Sequence, residues 1–249
     1  MRNNTRKDTT LIVPAAGRSS RYPGLEPKWM LKHPNGKSMI ENVLDAFKYK
    51  EYRKTYIVVV SQQCKDCRAD EFISKTFEKN VDLIVLDKQT ESCPETINLA
   101  IQKAGIQGRI LVKDTDSLVS TEDVYYENFI VGLEINENSK VPNIQNKSFI
   151  CKNDAGIVLD IVEKKIVSDT ICIGAYCLDS SDFLSAYNQI KKSGLLITEK
   201  EIYMSHVISF LILNEKVTFH FSEASVYKDW GTHKEWLEEA KEYEQPLVE

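Results

Sequence analysis

The chain has 249 residues, 42% of them hydrophobic, enough to bury a full core within one domain of the larger α/β kind. Its formal net charge of -5 at pH 7 opposes a sequence-independent grip on nucleic acid, so any phosphate binding must be local. No apolar run approaches the roughly 18–20 residues that span a bilayer, and the opening MRNNTRKDTT lacks the apolar centre of a secretory leader, so the expectation is a cytoplasmic protein with neither nucleic acid nor membrane as partner.

After the polar leader, LIVP at 11–14 reads as a short apolar strand that stops at the loop AAGRSSRYPGLEPK, rich in small residues and cations. A helix follows. Ser38 and Glu41 form a capping box, and Ile40, Val43, Leu44 and Phe47 make one apolar stripe at helical spacing. The strand TYIVVV ends at Val60, a polar helical stretch covers about 68–78, and DLIVL ends at Leu86. The next helix opens at Cys93 and Pro94, where a missing N–H costs nothing, and buries Ile97, Ala100, Ile101 and Ala104. RILVK at 109–113 is the fourth apolar strand. Strands alternating with helices predict a parallel, doubly wound sheet.

From Tyr125 the rhythm changes to FIVGLEI, KSFICK, GIVLDIV and DTICIGAYCL, which read as antiparallel strands added to the same sheet. Helices are expected near 180–192 and 199–213, then a strand at VTFHFS and a charged helix from Lys234 to about Tyr243. The six cysteines, without a secretory signal, read as reduced thiols buried as small hydrophobes, because cytosolic redox buffers oppose disulfides. The Cys64–Cys67 C-x-x-C is assigned no chemistry, because no second pair or nearby His completes a tetrahedral metal site. The four His show no ligand spacing either.

Three motifs carry chemistry. In the first loop, Pro14, Ala15, Ala16 and Gly17 let the backbone approach a ligand, and Arg18, Arg21 and Lys28 bring three positive charges to it, with Ser19 and Ser20 between. The loop is neither a Walker loop nor G-x-G-x-x-G. In VKDTDS, Asp114 and Asp116 follow the fourth strand, and an extended backbone there would put both carboxylates on one side. Mg²⁺ needs only one or two protein carboxylates, the rest of its shell coming from phosphates and water. In YKDWGTHKEW, Asp229 follows a late strand and precedes Gly231 and Thr232.

PAAGRSSRYPGLEPKWML resembles the signature of the nucleotidyltransferase superfamily, which includes sugar-1-phosphate nucleotidyltransferases and methylerythritol phosphate cytidylyltransferases. The resemblance implies a single-domain α/β/α sandwich over 1–249, with a mostly parallel, Rossmann-like mixed sheet of the GT-A kind. About 10–120 would form the nucleotide-binding half and 121–249 the acceptor-binding half. It implies that Ala15, Ala16, Gly17, Arg18, Arg21 and Lys28 hold a triphosphate, with Arg18, Arg21 and Lys28 catalytic. Ser19-Ser20 stand where many members carry a Gly. Asp116 and Asp229 become the Mg²⁺ ligands and Asp114 a nucleotide-site residue. KQTESCPETINLAI is similar to the segment that reads base and ribose, which nominates Gln89, Thr90, Ser92 and Thr96. VEKKIVSDTICIGAY is similar to the acceptor segment, which nominates Glu163, Lys164 and Lys165.

The Val-Pro-Ala-Ala-Gly and Pro-Lys-Trp-Met-Leu runs look closer to CTP-using members than to those using UTP or dTTP. The HPNGKSMIE continuation resembles proteins of bacterial capsule loci, which implies a phosphorylated small-molecule acceptor, a sugar phosphate or glutamine phosphate, and a homo-oligomer is compatible with this. An acceptor phosphate is already an anion near neutral pH, which suits a sequence without a Ser-His-Asp or Cys-His constellation. The rivals are a GT-A glycosyltransferase, which needs no dedicated pyrophosphate exit, and a nucleotide-sensing paralogue, which would have a motif broken.

Overall fold

The computed structural model of the chain describes residues 5–24, 27–77, 79–121, 127–137, 139, 141–194 and 201–244. Four strands form the first half: β1 (Thr10–Pro14), β2 (Lys54–Val60), β3 (Val81–Leu86) and β4 (Arg109–Lys113), all parallel in the order β3-β2-β1-β4. Between them lie α1 (Met39–Ala46), α2 (Ser61–Cys67), α3 (Ala69–Thr76) and α4 (Cys93–Ala104). The sheet continues through β9 (Thr170–Asp179), antiparallel to β4, then β6 (Phe129–Glu134), β10 (Phe219–Asp229), β8 (Ile157–Glu163) and β7 (Ser148–Lys152). β5 (Ser117–Thr121) pairs with the end of β10, and α5 (Ser180–Ser193), α6 (Met204–Leu213) and α7 (His233–Glu244) complete the elements.

The period-2 alternation of the strands divides the core into two layers. Ile12, Val58 and Val60 face the side covered by α4, α5 and α6, while Leu11, Val13, Ile57 and Val59 face α1 and α3. The architecture is therefore the α/β/α sandwich read from the sequence. Each fully buried aliphatic side chain of α1, such as Ile40, Val43 and Leu44, contributes roughly 1.5–3 kcal/mol of burial. The Ser38–Glu41 capping box forms as read: Ser38 Oγ accepts from the Glu41 N–H at 3.3 Å, and the Ser38 N–H donates to Glu41 Oε2 at 2.7 Å. At α4, Ser92 caps the helix and Gly105 ends it in the left-handed region.

Several elements differ from the sequence reading. The polar helical stretch read at about 68–78 is α3, but the sequence reading did not contain α2 before it; the two helices meet at Arg68, whose φ of 53° breaks the helical path, and Glu78 lies outside the described residues. Of the helix expected at 199–213, the structure gives α6 from Met204, and 195–200 lie outside the described residues. β10 runs well past VTFHFS to Asp229 itself, so that aspartate ends a strand rather than following one. Asp114–Asp116 form a bend between β4 and the unpredicted β5, rather than an extended run.

The sheet order places the site. β1 lies between β2 and β4, so the chain leaves β1 toward one side of the sheet and returns on the other; ligands of open α/β sheets bind in the crevice outside the strand C-termini at such a switch point. The loop after β1 and the bend after β4 both open there. No helix among the described residues is long and apolar enough to cross a membrane.

Candidate active site

A cleft of about 640 Å³ opens at this switch point. Its walls include Pro14, Ala15, Gly17, Ser19, Ser20, Arg21 and Lys28 from the first loop, Asp114 and Asp116 from the bend, and Asp229 from the end of β10. Glu163 and Lys164 at the end of β8 line its far side.

The loop is fixed through its carbonyls and hydroxyls. The Ala15 carbonyl accepts from Trp29 Nε1 at 3.1 Å and from Gln63 Nε2 at 3.0 Å, and Ser19 Oγ accepts from the Lys28 N–H at 3.2 Å. Ser19 adopts a left-handed φ of 50°, which turns the chain so that the Tyr22 N–H reaches the Ser19 carbonyl at 2.7 Å. Gly17 has no protein atom within 4 Å of where a Cβ would sit. Its lack of a side chain is therefore not demanded by packing, and the open space beside its backbone belongs to the cleft.

Asp116 and Asp229, far apart in sequence, stand side by side. Asp229 pairs with Ser117 across β10 and β5, and the Trp230 N–H donates to the Asp116 carbonyl at 2.8 Å. The Tyr22 hydroxyl reaches the Trp230 and Thr232 carbonyls at 2.5 and 2.9 Å, tying the first loop to the segment that carries Asp229. Thr232 and Glu235 cap α7 reciprocally, at 3.3 and 2.7 Å, and so hold that segment from the other side.

Each carboxylate has its own cation. Lys28 Nζ lies 2.5 Å from Asp116 Oδ2, with Arg21 Nη2 at 3.6 Å, and Lys147 Nζ is bonded to Asp229 Oδ2. Burial alone would raise the Asp116 carboxyl, but the Lys28 ammonium, with Arg21 and Lys113 behind it, holds it well below the usual carboxylate range. Asp114 behaves oppositely: burial first, then the neighbouring Asp116 charge, pushes its carboxyl up to about 6. Its N–H donates to the Gly174 carbonyl at 2.9 Å, and its side chain fills the space a Cβ at Gly174 would occupy. Beneath the bend, fully buried Lys113 donates from Nζ to the Asp114 carbonyl and to Ser117 Oγ, both at 2.8 Å, and burial lowers its ammonium to about 8.

Not every residue nominated from the sequence reaches the lining. Ala16 is buried and its carbonyl accepts from Gln89 Nε2. Thr90 and Thr96 are buried and bonded to each other at 2.7 Å, and Ser92 caps α4, so these side chains are used within the protein. Arg18 and Lys165 are exposed and outside the lining. Glu163 lines the cleft while its Oε2 accepts from Ser148 and Ser205 hydroxyls at 2.5 and 2.6 Å, and Lys164 Nζ meets the Tyr203 hydroxyl at 2.5 Å. Sequence reasoning missed Lys147, Cys93, Glu201, Tyr203 and Tyr227, all at the lining. For Tyr227 a signal existed: it lies two residues before Asp229 on one strand face. All six cysteines are free thiols, as read. Among the described residues, no three His, Cys, Asp or Glu side chains form a metal-binding cluster by themselves.

The strand order, the acidic pair and the cationic loop together define a Rossmann-like α/β/α sandwich with its cleft at the switch point. No protein-family model matches the chain, and no curated protein matches it in sequence. Solved structures do. A nucleoside-diphosphate-sugar pyrophosphorylase from Vibrio cholerae RC9 is similar with a TM-score of 0.76 at 20% identity, over 93% of this chain and 99% of that one. The inositol-1-phosphate CTP transferase from T. maritima is similar with a TM-score of 0.72 at 13% identity, over 97% and 98%. A UDP-glucose pyrophosphorylase complexed with UDP-glucose gives 0.69 at 15% identity, over 94% and 98%. At these identities the likeness establishes a common fold, across nearly the full length of each chain.

Proposed function

We propose that the chain is a Mg²⁺-dependent nucleotidyltransferase that moves NMP from a nucleoside triphosphate, CTP by preference, onto a phosphorylated small molecule and releases pyrophosphate. The observation that carries this reading is the adjacency of Asp116 and Asp229 at the cleft floor, opposite the Gly17 loop with Arg21 and Lys28. The preference for CTP rests on the loop sequence and is supported by the shared fold with a CTP transferase. Glutamine phosphate and sugar phosphates are the acceptors to test, in the setting of capsule or surface polysaccharide synthesis; UTP, dTTP and GTP are the competing donors.

Asp116 and Asp229 supply the sparse oxygen set that suits Mg²⁺, with phosphates and water completing the shell. When bound, the ion would offset charge at the α-phosphate. The protein's own part is positioning and charge. Arg21 and Lys28 face the position of the triphosphate and stabilise charge on the transferring group and on leaving pyrophosphate. Arg18, exposed on the same loop but outside the cleft lining, is assigned to the outer phosphates on the resemblance of the loop alone. The acceptor enters past Glu163 and Lys164, and its phosphate oxygen attacks the α-phosphorus in line. No base is needed, because that oxygen is already ionised.

The test is a pyrophosphate-release screen of CTP, UTP, dTTP, GTP and ATP against sugar, polyol and amino-acid phosphates. Release with one donor–acceptor pair, lost in Asp116→Ala while the fold is retained, is the expected result. Normal turnover in that variant would refute the metal assignment.

A further inference from the structure

Both aspartates at the cleft floor are neutralised by lysines, and the two lysines come from different parts of the chain. Lys28 lies in the short turn Lys28–Met30 after the first loop, and Lys147 just precedes β7. Side-chain exposure is 15% for Lys28 and 18% for Asp116, 17% for Lys147 and 6% for Asp229, so both ion pairs are largely withdrawn from water. A charge left unpaired in such a place is strongly disfavoured.

The carboxylates are not free to move apart. The Trp230 N–H is bonded to the Asp116 carbonyl, the Gly231 N–H to Asp229 Oδ1 at 3.0 Å, and Tyr22 clamps the Trp230–Thr232 backbone. The lysines differ in this respect. Their backbones are held, Lys28 through Ser19 Oγ and Lys147 through the Ile144 carbonyl at 3.1 Å, but each ammonium hangs on a flexible four-carbon stem. Any exchange of partners at this site must therefore move ammonium groups.

The geometry points to Lys28 and Lys147 as resident occupants of the divalent-cation site, which surrender it to a metal only when a polyphosphate arrives with that metal. This rests on the functional reading above and adds Lys147 to it as a phosphate-binding residue. A divalent ion entering alone would have to displace an ammonium from its carboxylate and leave it unpaired in a place largely withdrawn from water. A metal–polyphosphate brings oxyanions that receive both lysines, so each carboxylate and each ammonium finds a new partner. Lys28 would turn to the triphosphate, and Lys147, on the acceptor side, to the junction of the α-phosphate and the acceptor phosphate. Metal and nucleotide then bind with strong positive coupling.

The experiment measures protein-bound Mn²⁺ by equilibrium dialysis and metal analysis, with and without inorganic tripolyphosphate, which mimics the phosphates but cannot react as a nucleotide donor. The wild-type chain is expected to bind Mn²⁺ at least about tenfold more tightly when tripolyphosphate is present, after correction for complexation in solution. Lys147→Met and Lys28→Met should each raise the affinity for Mn²⁺ alone at least about tenfold, because a competing cation is gone. Equal wild-type affinity with and without tripolyphosphate overturns the inference, as do folded variants that bind Mn²⁺ alone no better than wild type. Failure of the nucleotidyl-transfer reading is recorded separately, as absence of pyrophosphate release from every donor–acceptor pair, and does not alter the dialysis result.

Discussion

Gly174→Ala probes how the bend that carries Asp114 is built. Gly174 has a φ of 79°, and a Cβ there would lie 2.4 Å from Asp114 Oδ2 and 2.8 Å from Asp114 Cγ. Asp114 is half-buried, but its own N–H is bonded to the Gly174 carbonyl, which holds its backbone against the glycine and limits how far it can retreat. The left-handed backbone costs an alanine about 1–2 kcal/mol. Forcing atoms into the packed bend adds about 1–3 kcal/mol. At roughly 2–4 °C per kcal/mol for a domain of this size, the melting temperature should fall by some 4–20 °C. Circular dichroism melts of wild type, Gly174→Ala, Asp114→Ala and the double variant separate the two contributions. In the double variant the clash is relieved while the backbone strain remains, so the glycine substitution should cost less there than alone. An unchanged melting temperature for Gly174→Ala, or equal cost in both backgrounds, would refute the reasoning.

Three further outcomes are expected. Tyr22→Phe removes the hydroxyl that bonds the Trp230 and Thr232 carbonyls, and urea unfolding should show a loss of about 1–2 kcal/mol together with reduced pyrophosphate release. Asp114 has a folded-state pKa raised to about 6, so between roughly pH 4 and 6 the folded chain binds more protons than the unfolded one, and stability falls as pH rises through that window; Asp114→Asn should flatten this decline in urea titrations at several pH values. Lys28→Ala should lower the rate of the chemical step, read by single-turnover kinetics, more than it raises the acceptor KM; a main effect on acceptor KM would mean Lys28 is placed wrongly.

Much of the fold was legible because hydrophobic periodicity is local. The four parallel strands and the α1 stripe follow from spacing alone, and the Ser38–Glu41 box names its own helix start. The pairing of Asp116 with Asp229 was legible only as an order of motifs, since adjacency depends on β5, a short strand the sequence reading did not contain. That strand, SLVST, has little apolar content and forms because the end of β10 offers it a partner. Helix α2 was missed for a related reason: SQQCKDC is mostly polar and carries no apolar stripe, so the sequence reading begins the helical stretch only at about Arg68. Gln89, Thr90, Ser92 and Thr96 carry the polar groups expected of a base-reading segment, but a hydroxyl or amide suited to a ligand is equally suited to a helix cap or a carbonyl nearby. Lys147 and Lys113 carried no signal, because what distinguishes them, burial against a carboxylate or beneath a bend, is purely tertiary.

The chain holds three tryptophans, and their positions give it a built-in optical reporter. Trp29 lines the cleft and grips the Ala15 carbonyl, Trp230 follows Asp229 directly, and Trp236 packs edge-on against Trp230 at 5.1 Å. All three are almost wholly shielded from water, at 1%, 2% and 4% exposure. Any ligand that shifts the first loop or the Asp229 turn therefore perturbs an indole, and quenching or a wavelength shift of the intrinsic emission would follow occupancy in real time without a label.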